Sequence, residues 1–263
     1  MLELVNITKV FNPKTINEKV ALNNVSLKVE KGDFITIIGA NGAGKSTLFN
    51  VIAGTYFTDS GKIILDGKDI TLLEEHKRAK RIGRLFQDPM LGTAPGLTVE
   101  ENLALAAGKG GWLSHVSNKD KAEFRSRVAL LNMGLEDIMN KPVGLLSGGQ
   151  RQALTLMMAT INPPDLLLLD EHTAALDPAT AEKVLQITRD VVAAHNITCL
   201  MITHNMQSAL DNGNRTIMMN NGSIILDVAE PKRSKLKVDD LIEQFTKITA
   251  EKLNNDRMLL KQQ

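Results

Sequence analysis

The chain has 263 residues, 43% of them apolar and 23% charged, with a formal net charge of +1. This composition excludes wholesale disorder, which needs low hydrophobicity and high net charge, and the near-neutral balance excludes a global field drawing the chain onto nucleic acid or anionic lipid. One cysteine excludes an internal disulfide and a cysteine-built zinc site, and it suits a reducing compartment.

The N-terminus, Met1 to Asn6, has neither the basic start nor the apolar run of a signal peptide. Nowhere does an apolar run approach the ~20 residues a spanning helix needs, so the expectation is a cytoplasmic protein that reaches a membrane only through partners. From Met1 to about Leu65 the pattern is of short strands and turns. Val25, Leu27 and Val29 alternate with Ser26 and Lys28, and Ile63-Ile64-Leu65 runs into the hairpin-type pair Asp66-Gly67. Phe34 to Ile38 is a β-branched run suited to a strand buried on both faces. It feeds a glycine-rich turn, after which Thr47 to Ala53 reads as a helix closed by Gly54. The middle, about 88–164, turns helical. Thr98 and Glu101 fit a capping box, and Lys119 to Asn132 carries Phe124, Val128 and Leu131 at helical spacing. Gly108 to Trp112 reads as a loop, with Trp112 as a local anchor. Strand patterns return at Leu166 to Leu169, Thr198 to Ile202, Thr216 to Met219 and Ser223 to Leu226, with a helix between the first two opened by Asp177-Pro178. Alternating strand and helix predicts a parallel sheet. The division expected is one domain over 1–227 and a charged helical tail over 228–263.

Gly39-Ala40-Asn41-Gly42-Ala43-Gly44-Lys45-Ser46 matches the phosphate-binding loop pattern G-x-x-x-x-G-K-[ST]. The glycines allow the backbone to curl so that successive N–H groups face phosphate oxygens, and the following helix adds the positive end of its dipole. Gly39, Asn41, Gly42, Gly44, Lys45, Ser46 and Thr47 are the residues expected at a nucleotide, with Lys45 on the β- and γ-phosphates and the Ser46 hydroxyl on Mg²⁺. Asp165 to Glu171 is a buried apolar strand ending in two adjacent carboxylates, costly unless something uses them. Asp170 is placed to hold Mg²⁺ beside Ser46, and Glu171 to accept a hydrogen bond from the water that attacks the γ-phosphate. Leu146-Ser147-Gly148-Gly149-Gln150 reads as another glycine-permitted N–H nest opening a helix, hence a second phosphate site. The chain has no second nucleotide loop, so Ser147, Gly148, Gly149 and Gln150 are expected to serve the γ-phosphate of another copy, in a head-to-tail dimer. Cys199 reads as strand packing, His172 as a loop histidine, and Lys232-Arg233-Ser234-Lys235 as a solvated basic surface.

With these motifs the chain resembles, from Leu2 to Asp227, the ATP-binding subunits of ABC transporters. The resemblance implies an α/β fold: a P-loop ATPase core with an N-terminal antiparallel β-subdomain and an inserted α-helical subdomain carrying the signature Leu146 to Gln150. It implies that Gln87 senses Mg²⁺ and the γ-phosphate, that Asp177 meets the opposite monomer, that His204 contacts the γ-phosphate, and that Phe11 stacks on adenine. Two positions depart from the family's usual pattern: His172 stands where proline is common after the glutamate, and Ala174-Ala175 where the next loop commonly opens with serine. The free-standing ATPase implies an importer working with separate permease subunits and an extracytoplasmic solute-binding protein; the stretch Leu167 to Pro178, with Thr203-His204-Asn205-Met206, resembles a subgroup associated with amino-acid uptake. A permease helix is expected between Gln87 and the segment from Met90 to Thr98. Chromosome and repair ATPases place a long coiled coil between phosphate loop and signature, and ribosome-associated members carry two ATPase halves. This chain has neither, and its charge gives no reason for a nucleic-acid partner.

Overall fold

Two sheets carry the architecture in a computed structural model of the chain, in which residues 1–109 and 116–247 are described. In chain order, β1 (Leu2–Phe11) and β2 (Lys19–Val29) precede β3 (Phe34–Ile38), α1 (Lys45–Ala53), β4 (Ser60–Leu65) and β5 (Lys68–Asp69). The short α2 (Glu75–Arg78) leads to β6 (Ile82–Leu85), and then come α3 (Val99–Ala106), α4 (Asn118–Ala129) and α5 (Gly148–Thr160). The chain continues through β7 (Leu166–Asp170), α6 (Pro178–His195), β8 (Thr198–Ile202), α7 (Met206–Asp211), β9 (Arg215–Asn220) and β10 (Ser223–Ala229).

A four-stranded sheet has the order β2-β1-β4-β5 and a six-stranded sheet the order β10-β9-β3-β8-β7-β6. The first is antiparallel: β1 pairs Leu2 with Val29 and Leu4 with Leu27, which puts the alternating apolar residues of β2 on one face. The second is parallel from β9 to β6, with β10 added antiparallel at its edge. Helix α1 lies between the sheets, and its Leu48, Phe49, Val51 and Ile52 join residues of both in one core. The other face of the parallel sheet is covered by the helices of the middle segment. Strand β7 shows the division: Leu166 and Leu168 belong to the inter-sheet core, Leu167 and Leu169 to the helical one. That two-sided burial is why the sequence of β7 is a continuous apolar run rather than an alternating one.

Local signals end the elements as their chemistry demands. Gly54 closes α1 in the left-handed region at φ 87°, its N–H donating to Asn50 O. Thr98 and Glu101 form the capping box of α3, and Ser117 and Asp120 form another on α4.

Several expectations need correction. The tail opens on strand, because β10 continues to Ala229 before residues 238–247 turn helical. The basic run is not wholly solvated: the Arg233 residue is 5% exposed. His172 does stand in the turn after β7, as expected, but it is buried there at 3% exposure, its Nε2 lying 3.2 Å from Thr188 Oγ1. Burial pushes its imidazole down to about 4, so it is neutral near pH 7. Trp112 lies outside the described residues.

Candidate active site

The strand β3 delivers the phosphate loop to the carboxyl edge of the parallel sheet. Gly39 has φ +148°, and a Cβ there would stand 2.2 Å from Met219 O. Gly44, the cap of α1, has φ +104°, and its Cβ would meet Ala21 O at 2.5 Å. Both clashes are with backbone, so neither position can yield by moving a side chain. The Lys45 ammonium donates to Gly39 O at 2.7 Å and Ala40 O at 3.1 Å. Burial holds its pKa below the ordinary lysine value, opposed by the charges of Glu171 and Asp170.

The paired carboxylates arrive at the same edge at the end of β7, separated from β3 by β8. Asp170, the last residue of β7, is 9% exposed and lies with Oδ1 3.5 Å from Ser46 Oγ. Burial raises its pKa against the charge of Arg84. Glu171 follows in the left-handed region at φ 46°, an uncommon conformation for a residue with a side chain, and its N–H donates to Ile202 O at 3.1 Å. This turn aims the Glu171 carboxylate at two other loops. Gln87, two residues beyond β6, donates from Nε2 to Glu171 Oε2 at 3.4 Å, and His204, two residues beyond β8, places Nδ1 3.7 Å from the same oxygen. Residues far apart in sequence thus converge because their parallel strands all end at one edge, the usual site position in such sheets.

A cleft of about 450 Å³ is lined by Phe11, Lys19, Ala21, Gln87, Glu171 and the loop from Asn41 to Thr47. Lys19, Ala21 and Tyr56 were missed by the sequence reading. The β1–β2 ladder pairs Phe11 with Lys19 across the polar loop 12–18, and Tyr56 meets the Phe11 ring edge-on, centroids 5.4 Å apart. Only the ladder register could have placed Lys19 there. Arg84 was also missed: it donates to Asn50 Oδ1 at 2.8 Å and Thr55 Oγ1 at 3.2 Å, with its guanidinium 4.5 Å over the Phe86 ring.

The signature residues do not line this cleft. Ser147 caps α5, its Oγ accepting from Gln150 N–H at 3.3 Å while Gln150 Oε1 accepts from Ser147 N–H at 3.2 Å. Gly148 and Gly149 open α5, as expected, and have helical backbones rather than positive φ. A Cβ on Gly149 would stand 2.3 Å from Thr180 Cγ2, and one on Gly148 3.2 Å from Leu176 Cδ2. These glycines let α5 approach the start of α6, which Asp177 caps through Thr180 N–H at 3.1 Å. The Thr180 hydrogen bonds hold the Asp177 carboxyl below its usual range. Ser147, Gly148, Gly149, Gln150 and Asp177 therefore sit together, apart from their own chain's phosphate loop.

A phosphate loop facing a carboxylate pair across the edge of a parallel sheet defines a P-loop nucleotide hydrolase. A family model described as ABC transporter matches residues 22–174. The chain is 43% identical over 256 residues to the tyrosine transport ATP-binding protein of Clostridioides difficile, spanning 93% of this chain and 98% of that one. It is 38% identical over 230 residues to the methionine import ATP-binding protein MetN of Histophilus somni, spanning 86% of this chain and 64% of MetN. Among solved structures, a dimeric ATP-binding cassette in a post-hydrolysis state with ADP and Pi is similar at TM-score 0.76 and 27% identity, over 87% of this chain and 98% of that one. The ADP conformation of an ABC transporter cassette is similar at TM-score 0.77 and 29% identity, over 94% and 98%. The chain belongs to the ABC transporter family. It is an ATP-binding and ATP-hydrolysing subunit with the cassette fold expected from its motifs, and no helix among the described residues is long and apolar enough to cross a membrane.

Proposed function

We propose that this subunit drives amino-acid import as one of two copies, each site being completed by the other. Lys45 neutralises the β- and γ-phosphates, and the N–H groups from Asn41 to Thr47 orient them. Phe11, braced by Tyr56, stacks on the adenine. Ser46 Oγ and Asp170 Oδ1 are hard oxygen donors, and a buried carboxyl with a raised pKa suits a cation partner, so these residues fit Mg²⁺ with Gln87 at its margin. Mg²⁺ bound there supplies charge neutralisation of the phosphates. Glu171 orients the attacking water and takes its proton, and His204 donates a hydrogen bond to the γ-phosphate.

Ser147, Gly148, Gly149 and Gln150 reach the γ-phosphate of the second copy with the N-terminus of α5, and Asp177 sits at the same interface. What supports this is their separation from their own cleft together with the dimeric state of a similar cassette. A groove of about 520 Å³ lined by Arg84, Phe86, Pro89, Gly92, Leu105 and Met158 lies beside Gln87 and receives a helix of a separate permease. The subunit is then peripheral on the cytoplasmic face of the membrane, and an extracytoplasmic solute-binding protein delivers the solute. The names of the tyrosine and methionine relatives support an amino acid as that solute.

The observation that carries the catalytic reading is the convergence of Gln87 and His204 on the Glu171 carboxylate. Glu171→Gln keeps the shape and removes the base, so phosphate release should fall by about 10²–10⁴-fold while titrated ATP affinity is retained. Turnover at the parent rate in that variant would remove Glu171 from the chemistry.

A further inference from the structure

Helix α7 carries His204 at its threshold and is only six residues long (Met206–Asp211). A helix of that length spans roughly 9 Å and is not stable alone, so its partners decide where it lies. At its start, Asn205 accepts from Ser208 N–H at 2.9 Å and donates its own N–H to Thr203 Oγ1 at 3.1 Å. His204 stands between these two anchors, its side chain 61% exposed. Among the described residues, the helix and the end of β8 are the anchors that set the imidazole's approach to Glu171.

The other end of α7 is held by the C-terminal segment. The Arg233 guanidinium donates from Nη2 to Ala209 O at 2.8 Å, to Leu210 O at 2.9 Å and to Asn212 O. Its Nε donates to Thr216 Oγ1 at 3.0 Å and its Nη1 to Glu230 Oε1 at 3.3 Å. The first of these acceptors are carbonyls at the end of α7, which have no partner within the helix, and a cation there also meets the negative end of the dipole. Thr36 of β3 joins the same network, 3.0 Å from Ala209 O and 2.9 Å from Thr216 Oγ1. Beneath it, Leu241 is fully buried with Ile38, Ala209 and Met218, and Leu236 and Phe245 pack on that cluster. One face of α7 is thus clamped between the parallel sheet and the tail.

We propose that Arg233 is a positioning residue for ATP hydrolysis: by fixing the carbonyl end of α7 against β3 and β9 it sets where His204 stands over Glu171. The inference rests on the reading of His204 as a γ-phosphate contact. Removing the guanidinium takes the donor from the Leu210 and Asn212 carbonyls and leaves Ala209 O with Thr36 Oγ1, so the end of the helix must tilt or fray to reach water. Small displacements of a catalytic group are costly to rate, with 1 Å worth as much as about 10²-fold, whereas the acceptors of the guanidinium lie on α7, β9 and the segments after α7 and β10, not on β3, which carries the phosphate loop.

The test is steady-state Mg-ATP hydrolysis by the full-length chain carrying Arg233→Ala, His204→Ala or both. The expected result is an approximately tenfold lower kcat for Arg233→Ala with KM for ATP nearly unchanged, and no further loss when it is added to His204→Ala. Millimolar guanidinium ion, filling the space left by the side chain, should restore kcat in Arg233→Ala and not in the double variant. Arg233→Lys keeps the charge but not the planar fork, and it carries the same cycle where the alanine variant does not accumulate folded. Equal losses from the Arg233 substitution with and without His204, or a raised KM at constant kcat, would overturn the proposal while leaving the role of His204 standing. An unchanged kcat in His204→Ala alone would instead defeat the reading of His204, and this proposal with it.

Discussion

The phosphate loop and the signature are both glycine-rich helix openings, yet glycine answers a different demand in each. At the phosphate loop, Gly39 and Gly44 hold positive φ and face backbone carbonyls at distances no Cβ could tolerate. At the signature, Gly148 and Gly149 are helical, and the nearest obstacles are side chains, Leu176 Cδ2 and Thr180 Cγ2. The first set shapes a cradle from the chain's own backbone. The second brings α5 close to the start of α6, so that Ser147 and Asp177 present one surface. A glycine pattern alone does not distinguish a strained loop from a close helix contact.

This contrast can be broken by substitution. At the phosphate loop, Lys45→Ala removes the charge facing the phosphates and should weaken ATP binding by about 10- to 100-fold, the value of a hydrogen bond to a charged partner. Isothermal titration measures it, and undiminished affinity would reassign the loop. Gly149→Ala should destabilise the fold by about 1–3 kcal/mol through overpacking against Thr180. Adding Thr180→Ala should return most of that stability, because the obstacle is a methyl group; denaturant unfolding of the single and double variants decides it. ATP affinity of the isolated subunit should not change in either. Glycines held at positive φ, as in the phosphate loop, would behave otherwise, with no rescue from position 180. Smallest is Ser147→Ala, which removes the cap of α5 at a cost of about 1 kcal/mol, read as a lowered unfolding midpoint with monomer ATP binding intact.

Much of the fold was legible because its signals are local. The run from Phe34 to Ile38, the cap at Gly54, the capping box at Thr98 and the helix opened by Asp177-Pro178 each depend on neighbours within a few residues. The phosphate loop and the pair Asp170-Glu171 were legible for the same reason, as spacing and residue type state their chemistry. Gln87 and His204 carry no such local mark. They were placed by family resemblance, and what brings them to Glu171 is the shared edge of β6, β7 and β8, a tertiary fact. Lys19 needed the strand register, and Tyr56 needed the turn after α1 that sets its ring against Phe11. Arg233 was hidden for a plainer reason: in a run with Lys232 and Lys235 its charge reads as surface. Only the fold shows that the end of α7 arrives at that point with carbonyls to satisfy. His172 is the loop residue its sequence suggests, and only the fold shows that α6 supplies Thr188 to it.

The separation of Ser147 and Asp177 from their own cleft makes the composite site the central claim, and the Glu171→Gln protein tests it. Without the base and its charge, repulsion across the closed interface is reduced, so the variant should accumulate as a dimer in saturating ATP and be monomeric with ADP or no nucleotide. Ser147→Arg, added to the same protein, puts bulk against the opposite nucleotide and should abolish the dimer without weakening ATP binding to the monomer. Light scattering in the three nucleotide conditions gives the answer. A Glu171→Gln protein that stays monomeric in ATP, or a dimer indifferent to Ser147→Arg, would contradict the account.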